Sequence, residues 1–313
     1  MTPHHKFVLL MSGIVALLAV ASVIGGILRL RVTSESGLAT VTNLNARIRA
    51  WWMMVAVFAV AFLLGQAATL VLFTFLSFQA LREFITLTPT RPGDHHSLSL
   101  AFFVLVPVQY VLIGVDWYGL FSIFIPVYGF LMLPIFSALA EDTEDFLARN
   151  AKIQWGTMIT IYCISHAPAL LLLKIPGYAG QDALLLFYLL LVVQISDVMQ
   201  YVFGKLFGRT KIAPIVSPSK TVEGFLGGGL AAIAIGTGMW WITPFTPWHA
   251  AGMSFVIVLM GFLGGLVMSA IKRSLGAKDW GTMIEGHGGT MDRMDSVSFA
   301  APIFFHLVRY FFT

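Results

Sequence analysis

The chain has 313 residues, of which 58% are hydrophobic and only 11% are Asp, Glu, Lys or Arg. Soluble domains carry roughly 25% charged residues, so this composition, with a mean hydropathy of +0.85, excludes an ordinary water-soluble globular domain. The single cysteine, Cys163, excludes an intramolecular disulfide and a cysteine-rich zinc site, whereas the net charge of +4 fits either the usual cationic cytoplasmic loops of membrane proteins or an anionic substrate.

Continuous apolar runs predict membrane-spanning helices at about 7–28, 51–75, 98–115, 120–140, 156–173, 183–203, 224–243, 251–271 and 297–312. Helices satisfy their own backbone in lipid, and these runs lack the alternation of barrel strands. The expected fold is an all-α polytopic membrane protein of eight or nine spans. An N-terminal helical region covers 1–180, and a C-terminal catalytic region covers 181–313. In the first run, Ala19-Val20-Ala21 has the form of a signal cleavage site, but the run is read here as a span. Residues 40–52, with Trp51 and Trp52, offer an interfacial helix as an alternative to a simple loop. Pro126 and Pro134 are expected to kink their span, and the acidic stretch 141–145 reads as a solvated loop. Two small-xxx-small patterns, 224–228 and 261–265, favour close helix packing.

Two polar connections, 204–223 and 272–296, hold most of the chemistry. Two predicted spans separate them, so both belong on one face of the membrane. Loop 204–223 carries Lys205, Arg209, Lys211 and Lys220 against Glu223 alone, which places that face in the cytoplasm. The same count leaves 29–50 outside with Arg29, Arg31, Arg47 and Arg49, against the rule.

Residues 272–295 pack eight charges and His287 into 24 positions. Lys272 and Arg273 close an apolar helix, where they would also serve as an interface anchor. If the following segment is helical, the three-residue spacing puts Asp292 and Asp295 on one face. Two convergent carboxylates suit a hard divalent cation, and flanking cations suit phosphates bridged by it. Gly286, Gly288 and Gly289 would let backbone approach a phosphate. In the other loop, Ser217 and Ser219 offer hydroxyls, Lys220 offers a point charge, and Thr221 could cap the next helix, whose N-terminus attracts phosphate. Asp197 lies within a span, where a carboxylate is costly and points to function.

The run "SAIKRSLGAKDWGTMIEGHGGTMDRMD" (269–295) resembles the signature of the phosphatidate cytidylyltransferases, the CDP-diacylglycerol synthases: Ser, two residues, Lys-Arg, four residues, Lys-Asp, then His-Gly-Gly and Asp-Arg-x-Asp. Residues 196–228 resemble the family's second region, and the resemblance covers about 190–312. It implies joining of CTP to phosphatidate with release of pyrophosphate. It also implies Mg²⁺ held by Asp292, a second cation such as K⁺ being left open; Asp295 and Asp197 are read here as the carboxylates that would complete the ligand set. Lys220, Lys272, Arg273, Lys278 and Arg293 would cradle the triphosphate and the lipid phosphate. Asp279 completes the Lys-Asp pair, and Ser217, Ser219, Gly288 and Gly289 would line the nucleotide. His287 would donate to a phosphate or order the glycine turn. Expected partners are CTP, phosphatidate and membrane lipids, without nucleic acid; a homodimer is left open. The expected location is the bacterial inner membrane.

Three positions depart from the family pattern. Glu285 replaces a usual Pro, Gly or Ser, and Thr290 replaces an apolar residue. Gly265 stands where bacterial members carry the Asp of Gly-Asp-Leu, a metal ligand. Eukaryotic members also have Gly there, together with an Asp-Ile-Met-x-Tyr-x-Phe-Gly run like 197–204. The competing expectation is a degenerate relative that binds or transports a phosphorylated lipid or nucleotide. The Asp-Gly-x-x-Ala-Arg pattern of CDP-alcohol phosphotransferases is absent, as is a Walker loop.

Overall fold

The computed structural model describes residues 2–283 and 288–313. In chain order the helices are α1 (Pro3–Arg31), α2 (Glu35–Leu64), α3 (Gln66–Leu87), α4 (Pro92–Gly114), α5 (Tyr118–Leu139), α6 (Phe146–Leu172), α7 (Asp182–Phe207), α8 (Gly224–Gly238), α9 (Pro247–Ser274) and α10 (Met291–Phe312). A short antiparallel pair, β1 (Lys211–Ala213) and β2 (Ser217–Thr221), sits between α7 and α8. Helices α1 to α7 and α9 are each long and apolar enough to cross a membrane. The protein is an all-α polytopic integral membrane protein.

The largest correction to the expected spans lies near the N-terminus. The run 51–75 is not one span. Gly65, at φ 93°, breaks it into α2 and α3, a backbone conformation that side chains other than hydrogen rarely allow. Helix α2 starts at Glu35, so no separate interfacial helix covers 40–52. The run 224–243 is also shorter than expected. Its helix stops at Gly238, and fifteen residues rise only about 22 Å against a hydrocarbon core of about 30 Å. The last helix begins at Met291 rather than 297, which brings Asp292 and Asp295 into its first turns.

Contacts at the helix ends reveal which termini lie together. Lys6 donates to Gln181 just before α7, and Gln66 donates to the Leu171 carbonyl at the end of α6. The starts of α1, α3 and α7 therefore share one end of the bundle. The opposite end collects Arg29 and Arg31, the C-terminus of α3 and the two chemistry-bearing loops. The break at Gly65 supplies the crossing missing from the sequence count. It moves Arg29 and Arg31 to the same end as Lys205, Arg209, Lys211 and Lys220 and removes their part of the conflict, while Arg47 and Arg49 lie within α2.

Lipid gives apolar helices little reason to associate, so close packing and buried polar contacts must hold them. A Cβ added at Gly228 would lie 2.4 Å from the Gln200 backbone nitrogen, and one at Gly264 would lie 2.6 Å from Phe299 Cβ. The glycine patterns thus set α8 against α7 and α9 against α10. Around Pro126 the helix widens into π-type turns over Phe124–Gly129, consistent with the ring's missing N–H. The acidic stretch 141–145 is more than a solvated loop. Asp142 bonds Arg91 at 2.9 Å and Arg149 at 3.0 Å, while Glu144 pairs with Arg91 at 2.7 Å. The buried Arg149 also reaches the buried Asp94 at 3.2 Å, tying α4 to α6.

Candidate active site

Helix α10 carries the centre of the site because its first turns emerge beneath the C-terminus of α9. Asp292 accepts from Lys272 Nζ at 2.7 Å, from the Trp280 N–H at 2.8 Å and from the Gly289 N–H at 2.9 Å. Lys272 and Asp292 are both buried, so the pair is charge-assisted and shielded from solvent. Gly288, at φ 79°, packs so closely that a Cβ there would lie 2.5 Å from Asp292 Oδ2. The Gly-Gly turn was expected to make room for a phosphate. Here it makes room for carboxylates.

One of those carboxylates escaped the sequence reading. Glu83, near the end of α3, accepts the N–H groups of both Thr290 and Met291 at 2.8 Å. These are orphan donors at the N-terminus of α10, where a negative charge is favoured. Added Cβ atoms at Gly281 and Gly289 would come within 2.9 Å and 2.3 Å of the Glu83 carboxylate. The neighbouring Phe84 stacks on buried Trp280, with centroids 5.2 Å apart and planes at 18°. Helix α3 thus positions the turn that positions Asp292. No sequence pattern marks it, because Glu83 falls between the predicted spans 51–75 and 98–115 and its partners are backbone N–H groups.

The second group gathers on α7, β2 and α9. Ser296 Oγ donates to Asp197 Oδ1 at 3.3 Å. Lys220 Nζ donates to the Phe262 carbonyl at 3.1 Å and lies over the Phe262 ring. Burial lowers the pKa of the Lys220 ammonium, and the charges of Asp197 and Asp295 oppose that shift. Asp295, Lys220 and Arg293 all lie within electrostatic reach of Asp197. A Cβ added at Gly265 would sit 3.0 Å from Lys220 Nζ and 3.4 Å from Ser296 Oγ. The two loops therefore meet at one end of the bundle.

The remaining expected residues are placed less centrally. Arg273 is exposed and donates to the Ala277 carbonyl at 3.1 Å, closing the C-terminus of α9. Lys278 and Asp279 are exposed on the following loop, Ser219 is exposed and Ser217 is buried. Thr221 Oγ1 accepts the Gly224 N–H at 3.1 Å, the expected cap. His287, with Gly286 and Glu285, lies outside the described residues. Among the described residues no three His, Cys, Asp or Glu side chains converge as a preformed metal cage. Asp197 and Asp295 still suit an ion that takes only one or two protein carboxylates and fills its shell with water and phosphate oxygens, as Mg²⁺ commonly does.

Loop 204–223 is clamped by Glu223, which accepts from the Arg209 N–H at 3.0 Å and from the Thr210 N–H at 3.1 Å. Backbone donors, Arg209's first, then its own and Thr210's, push its carboxyl down to about 2 from an ordinary 4.5. With the folded value depressed, the clamp contributes fully above pH 4.5 and is lost as pH falls through about 2. Amide exchange at Arg209 and Thr210, corrected for intrinsic rate, should rise across that window. Glu223→Gln should remove the pH dependence.

A family model described as the cytidylyltransferase family matches residues 45–311. The chain belongs to that family. Its members are nucleotidyltransferases, and the match takes in all ten helices except α1 and the first turns of α2. A protein of Escherichia coli (strain K12), YnbB, described as uncharacterized, is 38% identical over 94% of this chain and 96% of its own. Phosphatidate cytidylyltransferases of Staphylococcus aureus (strain COL) and Staphylococcus haemolyticus (strain JCSC1435) are 40% and 39% identical, each over 37% of this chain and 45% of their own.

As a cytidylyltransferase-family protein, the chain should depend on Glu83. Glu83→Ala leaves two partly buried N–H donors unpaired, at a cost of up to about 1–3 kcal/mol each. We expect a lower melting temperature in detergent and, because small displacements of reacting groups are costly, a loss of nucleotidyl transfer of about tenfold. Glu83→Gln, which keeps an acceptor, should lose less of both. Wild-type stability and turnover in Glu83→Ala would remove the positioning role.

Proposed function

We propose that this protein is a phosphatidate cytidylyltransferase, transferring the cytidylyl group of CTP to phosphatidate at the cytoplasmic face of a bacterial cell membrane. The observation that carries the reading is the meeting of the two loops. The Lys-Asp and Asp-Arg-x-Asp elements of 272–295 share one end of the bundle with Lys220 and Asp197, where an intramembrane lipid and a water-soluble nucleotide can meet. The staphylococcal enzymes' names support phosphatidate as the acceptor. The collection of Arg29, Arg31 and the cationic 204–223 loop at this end supports a cytoplasmic orientation.

In the reaction an oxygen of the phosphatidate phosphate attacks the α-phosphorus of CTP. A new P–O bond forms, the α–β bridging P–O bond breaks, and pyrophosphate leaves with the electron pair. The attacking phosphate is already anionic near neutral pH, so no strong base is required. The protein's task is positioning and charge neutralisation. Asp197 and Asp295, with Asp292 close by on α10, would hold Mg²⁺. The ion supplies neutralisation of charge on the phosphates when bound. Lys220 provides a movable ammonium, now resting on the Phe262 carbonyl, that can turn to a phosphate. Lys272 holds Asp292 in place through its hydrogen bond.

A binding protein without turnover is the second reading. Gly265 favours it, because the bacterial pattern has a ligand carboxylate there. Purified protein incubated with radiolabelled CTP, phosphatidate and Mg²⁺ separates the two. Label in a lipid supports the enzyme. Saturable CTP binding with no labelled lipid supports the alternative.

A further inference from the structure

Beneath the polar cluster lies a narrow apolar groove of about 140 Å³ between the α1–α2 hairpin and the bundle helices α7 and α10. Met11, Met54, Phe58, Leu190 and Met294 line it, and Gln194 and Arg293 stand at its polar end. Along α2 it runs from Trp51 to Phe62, about 16 Å of helix rise. The hairpin covers it loosely: among the described residues Leu18 is the one buried hydrophobic side chain of α1.

A cation at the end of an apolar groove in a membrane protein needs a partner, since unpaired buried charge is expensive. Arg293 Nε is buried and, among the described residues, has no hydrogen-bond partner. The carboxylates Asp197 and Asp295 lie within electrostatic reach of Arg293, but among the described residues no ion pair joins either to it. Lys220, expected with Arg293 among the residues that cradle the phosphates, donates to the Phe262 carbonyl of α9. Lys220 thus contacts α9, whereas Arg293 lines the groove. An anionic headgroup with an attached hydrocarbon chain complements the groove along its whole length. A free nucleotide would leave the apolar part unfilled, and a zwitterionic lipid would set a second cation near Arg293.

We propose that this groove holds an acyl chain of phosphatidate while Arg293 binds the lipid phosphate, leaving Lys220 to the nucleotide. The proposal deepens the function given above and rests on that reading for the identity of the lipid. Planar guanidinium is the side chain best matched to two phosphate oxygens at once. The methionines suit a chain of variable shape, since they are unbranched and adaptable. Ala59, also in the lining, marks where a larger side chain would block the passage.

The test uses full-length protein in phosphatidylcholine nanodiscs, with phosphatidate carrying a diazirine on one acyl chain as the probe. Phosphatidylcholine carrying the same chain is the control. After irradiation, labelled residues are mapped by mass spectrometry. Labelling should concentrate on Met11, Phe58, Leu190 and Met294, and phosphatidate should exceed the control by roughly tenfold, equivalent to about 1.4 kcal/mol. Arg293→Gln should erase that preference, Arg293→Lys should retain part of it, and Ala59→Trp should remove groove labelling with both lipids. Equal labelling by the two lipids, labels spread over outward residues such as Val20 and Val57, or an Arg293→Gln protein that keeps the preference would each overturn the proposal. Groove labelling in a protein that never turns CTP over supports the lipid site and removes the proposed reaction. Turnover without groove labelling overturns the lipid site and leaves the reaction standing.

Discussion

Replacing Asp292 by Asn is expected to abolish cytidylyl transfer. The Asp292 carboxylate faces three donors, the Lys272 ammonium and the N–H groups of Trp280 and Gly289. An amide has only one acceptor oxygen, so its NH₂ group must oppose at least one of them. It also leaves the Lys272 ammonium without its counter-charge, and losing one partner of a buried pair typically costs about 3–5 kcal/mol. Some thermal destabilisation is therefore expected alongside the loss of turnover. The double variant Asp292→Asn, Lys272→Met separates the two effects, because the residues are in contact and their contributions should not add. If Asp292 served only to neutralise Lys272, removing both would restore activity. We expect stability to recover and turnover to stay absent. Near-normal turnover of Asp292→Asn at limiting Mg²⁺ would sink the assignment.

The polar centre of this site was legible because its chemistry is dense in sequence. Lys272, Asp292 and Asp295 fall within one charged stretch of an otherwise apolar chain, and Asp197 stands out as a carboxylate inside a span. Glu83 was not legible as a site residue, because its partners are the backbone N–H groups of Thr290 and Met291, more than two hundred positions away. Backbone donors leave no mark on side-chain patterns. The same limit applies to the α2–α3 boundary. Both sides of Gly65 are apolar, so hydropathy runs straight through it, and only the backbone conformation of that residue separates the helices. Arg29 and Arg31 carried the warning: the cation distribution disagreed with the span count, and the span count was at fault. Distance in sequence also hid the split between Lys220 and Arg293. Charge type assigns both to phosphate, but only packing tells that one faces α9 and the other an apolar groove.

Asp197→Ala should be nearly inactive, and Gly265→Asp should restore part of the activity. A carboxylate inside a membrane helix is retained at a cost, and Asp197 has a use for its charge beside Lys220, Arg293 and Asp295. Its hydrogen-bond partner Ser296 is also the neighbour that a side chain at 265 would meet, at 3.4 Å from the Cβ. The closer neighbour, Lys220 Nζ at 3.0 Å, is the free end of a flexible chain and can move. A carboxylate grown from position 265 therefore reaches the same polar pocket from α9 that Asp197 reaches from α7. Position 264 makes the control. A Cβ there meets Phe299 at 2.6 Å, so Gly264→Asp should disrupt the α9–α10 contact and rescue nothing. Mg²⁺ titrations of the three variants give the decisive readout. Rescue through a replaced ligand should shift the Mg²⁺ requirement, whereas rescue through general stabilisation should leave it unchanged. A fully active, Mg²⁺-dependent Asp197→Ala protein would make Asp197 structural and assign the metal to the Asp292–Asp295 face of α10.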